Sequence, residues 1–246
     1  MRYNDEMNNL QGKTILITGA ARRVGKIFAL ACAKAGANVM IHHGHSLEEA
    51  ESLRDEIASL GRSAWVLTCD LSQPEAVSNL ITQANEISPL YALVNSASIF
   101  ENLSFQNTSL GDWEKHFAIN LTAPFLLSQA FAKQTQHGRI VNILDWRALR
   151  PSADHFPYTI TKSALASMTK SLAIALAPNI VVNGLALGAI LPPADSSSDK
   201  NKIIENVPAQ RWAETKEVEE ALIFLLTCPT YITGEIIHLD GGRHLV

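Results

Sequence analysis

The chain of 246 residues is 47% hydrophobic and 18% charged, enough for one large α/β domain with a full core. Its 20 basic and 24 acidic side chains give a net charge of −4 with no basic tail or stripe, which argues against a nucleic-acid partner. No run approaches membrane-spanning length, and the polar start, residues 1–6, offers no apolar segment for a signal peptide, so a cytoplasmic protein without membrane contact is expected. Cys32, Cys69 and Cys228 are odd in number and widely spaced, which fits reduced, buried thiols better than disulfides or a zinc site.

Residues 13–18 form a short apolar run; Gly19 follows, and helical spacing resumes at Val24, Ile27, Phe28 and Ala31 until Gly36 ends it. Residues 38–42 read as a second strand. Ser46, with Glu49 three residues on, reads as a capping box opening a helix. Residues 63–68 read as a third strand, and Ser72 with Glu75 as a second capping box, with Pro74 just inside the helix start. Residues 90–95 form a fourth strand. A helical stretch covers 110–135, with Pro124 as a kink or break. Residues 138–144 form a fifth strand ending against Asp145. After a turn-rich segment, a long helix carries Tyr158 and Lys162 to Ala177. A sixth strand at 180–183 leads to a loose stretch, 188–206, rich in Pro, Ser and Asp; a last helix spans 215–227 and a final strand 235–239.

Strands alternating with helices predict an α/β fold with a doubly wound parallel sheet of the Rossmann type, about seven strands with helices on both faces. The strands are continuous apolar runs, as expected when both sheet faces are covered. No internal repeat or dividing linker is present, so a single domain over 12–246 is expected behind an N-terminal extension, 1–11.

Tyr158 and Lys162 lie four apart, on one face of a helix, one turn from each other. An ammonium beside a phenol favours the phenolate and fits the tyrosine for proton transfer. Asp145, at the end of the preceding strand, reaches toward the same spot. A Tyr-x-x-x-Lys pair is also common on solvated helix faces, so the pair alone does not make a site. The turn Thr18-Gly19-Ala20-Ala21-Arg22-Arg23-Val24-Gly25 joins the first strand to the first helix, where free N–H groups suit a phosphate. It is not a P-loop, because five residues separate its glycines and Ile27 follows Lys26. Nor does it meet the three-glycine dinucleotide fingerprint, and a tight strand–helix turn remains open.

Over nearly its whole length the chain resembles the short-chain dehydrogenase/reductase family. That family carries a Thr-Gly-x-x-x-Gly-x-Gly turn, in which Arg23 here replaces the middle glycine. Its Asn-Asn-Ala-Gly segment reads here Asn95-Ser96-Ala97-Ser98, its mid-helix Asn is Asn120, and its Asp-Gly-Gly is Asp240-Gly241-Gly242. Asp145 stands where the family usually has Ser, and Leu187 where it usually has Pro before Gly188. Arg23, Asp145, the string from Asn95 to Phe100 and the ending from Gly241 to Leu245 are similar to the pteridine reductase and dihydromonapterin reductase branch.

The resemblance implies catalytic roles for Tyr158, Lys162, Asp145 and Asn120. Tyr158 would donate a proton, Lys162 would lower its pKa and bind the nicotinamide ribose, and Asn120 would hold a water in a proton relay. It implies that the cofactor contacts Gly19, Arg22, Arg23, Val24 and Gly25 in the turn, then His43, His45 and Ser46. Further contacts would come from Asp70 and Leu71, from Asn95, Ser96 and Ala97, and from Tyr158, Lys162 and Gly188. No acid ends the second strand to repel a 2′-phosphate, and Arg22, His45 and Ser46 are donors for one, so NADPH is the expected cofactor. The substrate would be a dihydropterin, such as dihydromonapterin or dihydrobiopterin, or dihydrofolate. It would meet Arg23, Ser98, Phe100, Asp145 and Tyr158, with Phe100 stacked on the ring; Phe100 as a plain core aromatic is the alternative. Residues 188–206 would form the substrate loop, and Trp146 either lines the pocket or packs in the core. His42 and His43 face opposite ways on a strand, and His43 with His45 alone makes a poor metal site, so no metal is expected. A homotetramer is implied. The competing activities are an NADPH-dependent carbonyl reductase, acting on a 3-oxoacyl or other ketone, and an NADPH-binding protein without turnover.

Overall fold

The strands are β1 (Thr14–Ile17), β2 (Asn38–His43), β3 (Ala64–Thr68), β4 (Leu90–Asn95), β5 (Gly138–Asp145), β6 (Ile180–Leu187) and β7 (Ile236–Leu239). Each sends successive side chains to opposite faces, and both faces are buried. On β1, Ile15 and Ile17 enter one core and Leu16 the other; β2 divides as Val39 and Ile41 against Met40, and β4 as Ala92 and Val94 against Leu93. The computed structural model describes residues 10–192 and 200–246. All described strand pairs are parallel, in the order β3-β2-β1-β4-β5-β6-β7, so the chain reverses direction across the sheet between β1 and β4. That switch point is where an open α/β sheet leaves a crevice at its carboxyl edge.

The helices are α1 (Arg23–Lys34), α2 (Leu47–Ser59), α3 (Pro74–Ile87), α4 (Leu110–Phe117), α5 (Ala123–Gln134), α6 (Phe156–Leu176), α7 (Lys200–Glu205) and α8 (Thr215–Thr227). Phe28 of α1, Leu53 of α2 and Leu222 of α8 pack into the first core, whereas Leu80 of α3, Phe131 of α5 and Ala173 of α6 pack into the second. Most of the expected extension, and residues 193–199 of the expected loop, lie outside the described residues. Leu10, within that extension, is fully buried in the first core, and its N–H donates to the Ala35 carbonyl.

Both expected capping boxes fail. Ser46 is the N-cap of α2, but its side chain makes no capping bond; instead its N–H donates to His43 Nδ1 at 3.2 Å. The N-cap of α3 is Gln73, again without a side-chain bond. Capping boxes form at Ser109 with Asp112 and at Glu214 with Glu217, where the acid reaches back to the cap N–H. The expected helix at 110–135 is divided into α4, a π-turn at Ala118–Thr122, and α5, with Pro124 in the first turn of α5. β6 runs to Leu187, beyond the expected 183, because Gly184 leaves room for Leu144: a Cβ there would stand 2.8 Å from Leu144 Cδ1. A glycine in an apolar run reads as a break but here serves close packing.

Candidate active site

The carboxyl ends of β1, β2 and β4 are tied together by polar side chains. Thr18 Oγ1 accepts from the N–H groups of Ser96 and Ala97 at 2.9 and 3.0 Å, which binds the glycine turn to the segment after β4. His42 holds the same turn from the other side. Its Nδ1 accepts from Gly19 N–H at 3.1 Å, and its Nε2 lies 3.0 Å from the Cys69 carbonyl. A carbonyl only accepts, so Nε2 carries the proton and the ring is neutral. Burial lowers the His42 pKa to about 4. Gly25 must be glycine: a Cβ there would sit 2.1 Å from the Gly19 carbonyl oxygen. The start of α1 thereby closes onto the turn and presents its N–H groups to the crevice.

The other expected cofactor residues surround this turn with unequal freedom. Arg22 is exposed and 3.6 Å from Glu49. Arg23, where the resembled family has glycine, takes φ +51°, and its Nη2 donates to the Pro192 carbonyl at 3.0 Å. It thus links the turn to the start of the expected substrate loop. Val24 is half-buried. His45 is exposed beyond β2, but His43 is buried with both nitrogens engaged, Nδ1 by Ser46 N–H and Nε2 with Thr68 Oγ1. The His43 ring therefore has no free donor for a phosphate, which leaves that role to the expected Arg22, His45 and Ser46. Asp70 is exposed and accepts from Ser72 N–H, which lowers its pKa; Leu71 beside it is buried. Asn95 Nδ2 donates to Asn142 Oδ1 at 2.8 Å, so its side chain locks β4 to β5, and its Oδ1 has no partner among the described residues. Gly188 N–H donates to the Leu239 carbonyl at the ends of β6 and β7.

The residues expected to be catalytic come together at the end of β5 and the start of α6. Tyr158 OH donates to Asp145 Oδ2 at 3.2 Å. Burial, then the Asp145 charge and this bond, hold the phenol well above its ordinary value. The expected lowering by Lys162 is not found. Lys162 Nζ donates to the Ile143 carbonyl at 2.7 Å, and burial lowers its own pKa to about 8. Asn120 is fully buried with its amide fully used: Nδ2 donates to the Ile99 carbonyl and Thr161 Oγ1, and Oδ1 accepts from Ile99 N–H and Ser98 Oγ. Its side chain has no atom left for a relay water; it fixes the path of Ser98 and Ile99 instead. Pro124 supplies no N–H to the Asn120 carbonyl, so that oxygen lacks its usual helical donor. Phe100 is no core aromatic. It is 53% exposed, meets Tyr158 edge-on at 4.7 Å between centroids, and stacks on His155 at 3.9 Å.

The residues 147–155 complete the site, and none of them stood out in the sequence. Arg147 N–H and Nη1 donate to Asp145 Oδ1 at 2.9 and 3.4 Å, and Nη2 donates to Asp154 Oδ2 at 2.9 Å. Burial raises the Asp154 carboxyl, but the bonds from Arg147 and Ser152 prevail and hold it well below the carboxylate range. His155, the left-handed N-cap of α6, places Nδ1 2.9 Å from Asp154 Oδ2. The one available signal was Pro157 behind Asp154 and His155, a helix-start pattern that fixes where α6 begins. Among the described residues no group of His, Cys, Asp and Glu is arranged to hold a metal ion, and no helix is long and apolar enough to cross a membrane.

A family model described as enoyl-(acyl carrier protein) reductase matches residues 19–244. The chain is 36% identical over 243 residues to the 3-oxoacyl-(acyl-carrier-protein) reductase FabG of Aquifex aeolicus, covering 95% of this chain and 98% of that one. Among solved structures it is similar to FolM alternative dihydrofolate reductase 1 from Brucella canis complexed with NADP, at 35% identity and a TM-score of 0.91, covering 97% of this chain and 96% of that one. The corresponding Brucella suis structure, also in complex with NADP, gives 36% identity and a TM-score of 0.87, covering 95% and 96%.

Proposed function

The chain belongs to the short-chain dehydrogenase/reductase family, an oxidoreductase fold that works with NADP(H), and on that premise we propose that it reduces a dihydropterin to the tetrahydro form in the cytoplasm. The observation that carries this reading is the hydrogen bond from Tyr158 to Asp145 beneath the exposed ring of Phe100. A pterin presents adjacent amino and ring N–H donors along one edge of a flat ring. A carboxylate accepts from both donors, and an aromatic face stacks on the ring. A simple ketone uses neither.

NADPH, when bound, supplies hydride to a ring carbon, and the neighbouring ring nitrogen must gain a proton. The glycine turn and the α1 N-terminus would hold its phosphates, with Arg22, His45 and Ser46 near the 2′-phosphate. Lys162, with one N–H on Ile143, keeps donors for the nicotinamide ribose. Tyr158 is the proton donor. In the free site burial first, and then Asp145, make that phenol a weak acid. When Asp145 turns to the N–H groups of a pterin, both its bond to Tyr158 and part of its charge are withdrawn, and the phenol becomes the better acid. Substrate binding thereby arms the donor. The relay that refills Tyr158 would run past the Asn120 carbonyl rather than its amide.

The carbonyl-reductase reading is supported by the name of the Aquifex relative and by the family model. A turnover panel of dihydropterins, dihydrofolate and a 3-oxoacyl thioester, each with NADPH, separates the two. Turnover of the thioester alone rejects the pterin reading. The sharper test is Asp145→Ser, expected to reduce dihydropterin turnover far more than any ketone turnover; equal effects on both would remove the pterin-specific role of Asp145.

A further inference from the structure

We infer that Arg243 forms a second anion site, on the substrate side of the crevice, that takes a carboxylate or phosphate carried by the substrate away from its reacting ring. The identity of that ring rests on the pterin reading; the anion site rests on the following geometry. Arg243 opens a short 3-10 turn, Arg243–Leu245, after β7. Its guanidinium carbon lies 4.5 Å from the centre of the Trp146 indole, and that of Arg147 lies 4.6 Å from the same ring. Trp146 directly follows Asp145, so Arg243 is anchored beside the reacting carboxylate.

The two arginines differ in their partners. Arg147 has Asp145 and Asp154. The Arg243 guanidinium, although half-buried, makes no ion pair or hydrogen bond among the described residues. The acid nearest in sequence, Asp240, is occupied by Gly242 N–H, His244 N–H and His244 Nδ1. Arg150 Nη1 donates to the Arg243 carbonyl at 3.4 Å, and Arg150 too has no carboxylate partner among the described residues. Burial and then the charge of Arg147 disfavour the cation at Arg243, and together they outweigh the more distant charges of Asp145, Asp154 and Asp240. An acidic group seated there would add the direct partner that the guanidinium lacks, and its planar fork suits a bidentate carboxylate or phosphate.

This anion is not the cofactor's 2′-phosphate. The groups suited to that phosphate stand at the end of β2, whereas the Arg243 guanidinium rests on Trp146 just after β5, three strands along the sheet. At about 4.8 Å per strand the two sites are roughly 14 Å apart. Arg243 thus discriminates among substrates sharing one reducible ring, favouring the one that bears an acid.

The test uses the NADP-loaded protein and p-aminobenzoylglutamate, a dicarboxylate without a pterin ring, titrated by calorimetry beside inorganic phosphate and neutral p-aminobenzamide. Saturable binding of an acidic probe but not the amide is expected, weakened at least about tenfold by Arg243→Gln and partly kept by Arg243→Lys. Carboxylate and phosphate are told apart by which probe binds. In turnover, the kcat/KM ratio of dihydrofolate to a dihydropterin with a neutral side chain should fall by about tenfold or more in Arg243→Gln. No binding of either acid, or an affinity and ratio indifferent to Arg243→Gln in a variant with unchanged melting temperature, overturns the anion site. Acid binding that depends on Arg243 in a protein that turns over no pterin upholds the site and rejects the pterin reading.

Discussion

A phenol buried against a carboxylate is a poor acid, and on the proposed reading the substrate removes the carboxylate's share of that effect. Tyr158→Phe keeps the ring that packs beside Phe100 and removes only the hydroxyl. Turnover should fall by about 10²–10⁴-fold while NADPH affinity stays nearly intact, read by steady-state kinetics and fluorescence titration. A variant within about tenfold of the parent rate would move the proton donor elsewhere. His42 gives a prediction of a different kind. Its pKa is lowered from 6.5 to about 4, so between those values the unfolded chain binds the proton and the fold does not. Stability from the neutral ring is therefore complete above about pH 6.5 and lost as pH falls toward 4, by about 3 kcal/mol in all. His42→Asn keeps an acceptor near Gly19 N–H but cannot titrate. Its melting temperature should decline less steeply than that of the parent over this window; parallel curves would show that His42 does not carry the effect.

At the scale of elements, the glycine turn works by contact between a strand end and a helix start. Gly25→Ala would drive a methyl group against the Gly19 carbonyl and push α1 off the turn. A loss of about 1–3 kcal/mol of stability and at least about tenfold in NADPH affinity is expected, measured by thermal melts and cofactor titration. Unchanged affinity would place the phosphates away from the α1 N-terminus. This turn was legible in the sequence, as were the parallel sheet and the Tyr158–Lys162 pairing, because each is set by local spacing or by an unbroken apolar run. What escaped was set by contacts distant in sequence. His42 reads as one more strand residue until β1 and β3 flank it. Residues 146–155 carry no helical or strand period, so Arg147, Asp154 and His155 acquire meaning only when the chain folds back over Asp145. For His43 the limit is complementary: strand alternation gives a side, not whether a ring is already bonded. For Lys162, spacing puts it near Tyr158 but does not reveal that the Ile143 carbonyl holds its ammonium.

At the scale of the whole molecule, α5 and α6 present an apolar surface to solvent. Phe125 on α5 is 44% exposed, and Leu121, Met168, Leu172 and Leu176 lie half-buried nearby. Charge is sparse on α5 and α6: Lys133, Lys162 and Lys170 are their only charged residues, and Lys162 is buried in the active site. An apolar face of this kind fits a subunit contact, and we propose that a second copy of α5 and α6 covers it in the expected homotetramer. Phe125→Asp would place an unpaired carboxylate in that contact, at a cost of several kcal/mol. Sedimentation velocity at micromolar concentration should show the parent as an assembly and the variant as smaller species. A monomeric parent, or a variant that assembles equally well, would reject this face as the contact. Because α6 also carries Tyr158 and Lys162, and its N-cap His155 stacks on Phe100, loss of the contact should lower kcat before it changes the KM for NADPH. The expected contacts to the cofactor phosphates lie instead at the ends of β1 and β2, on the other side of the switch point.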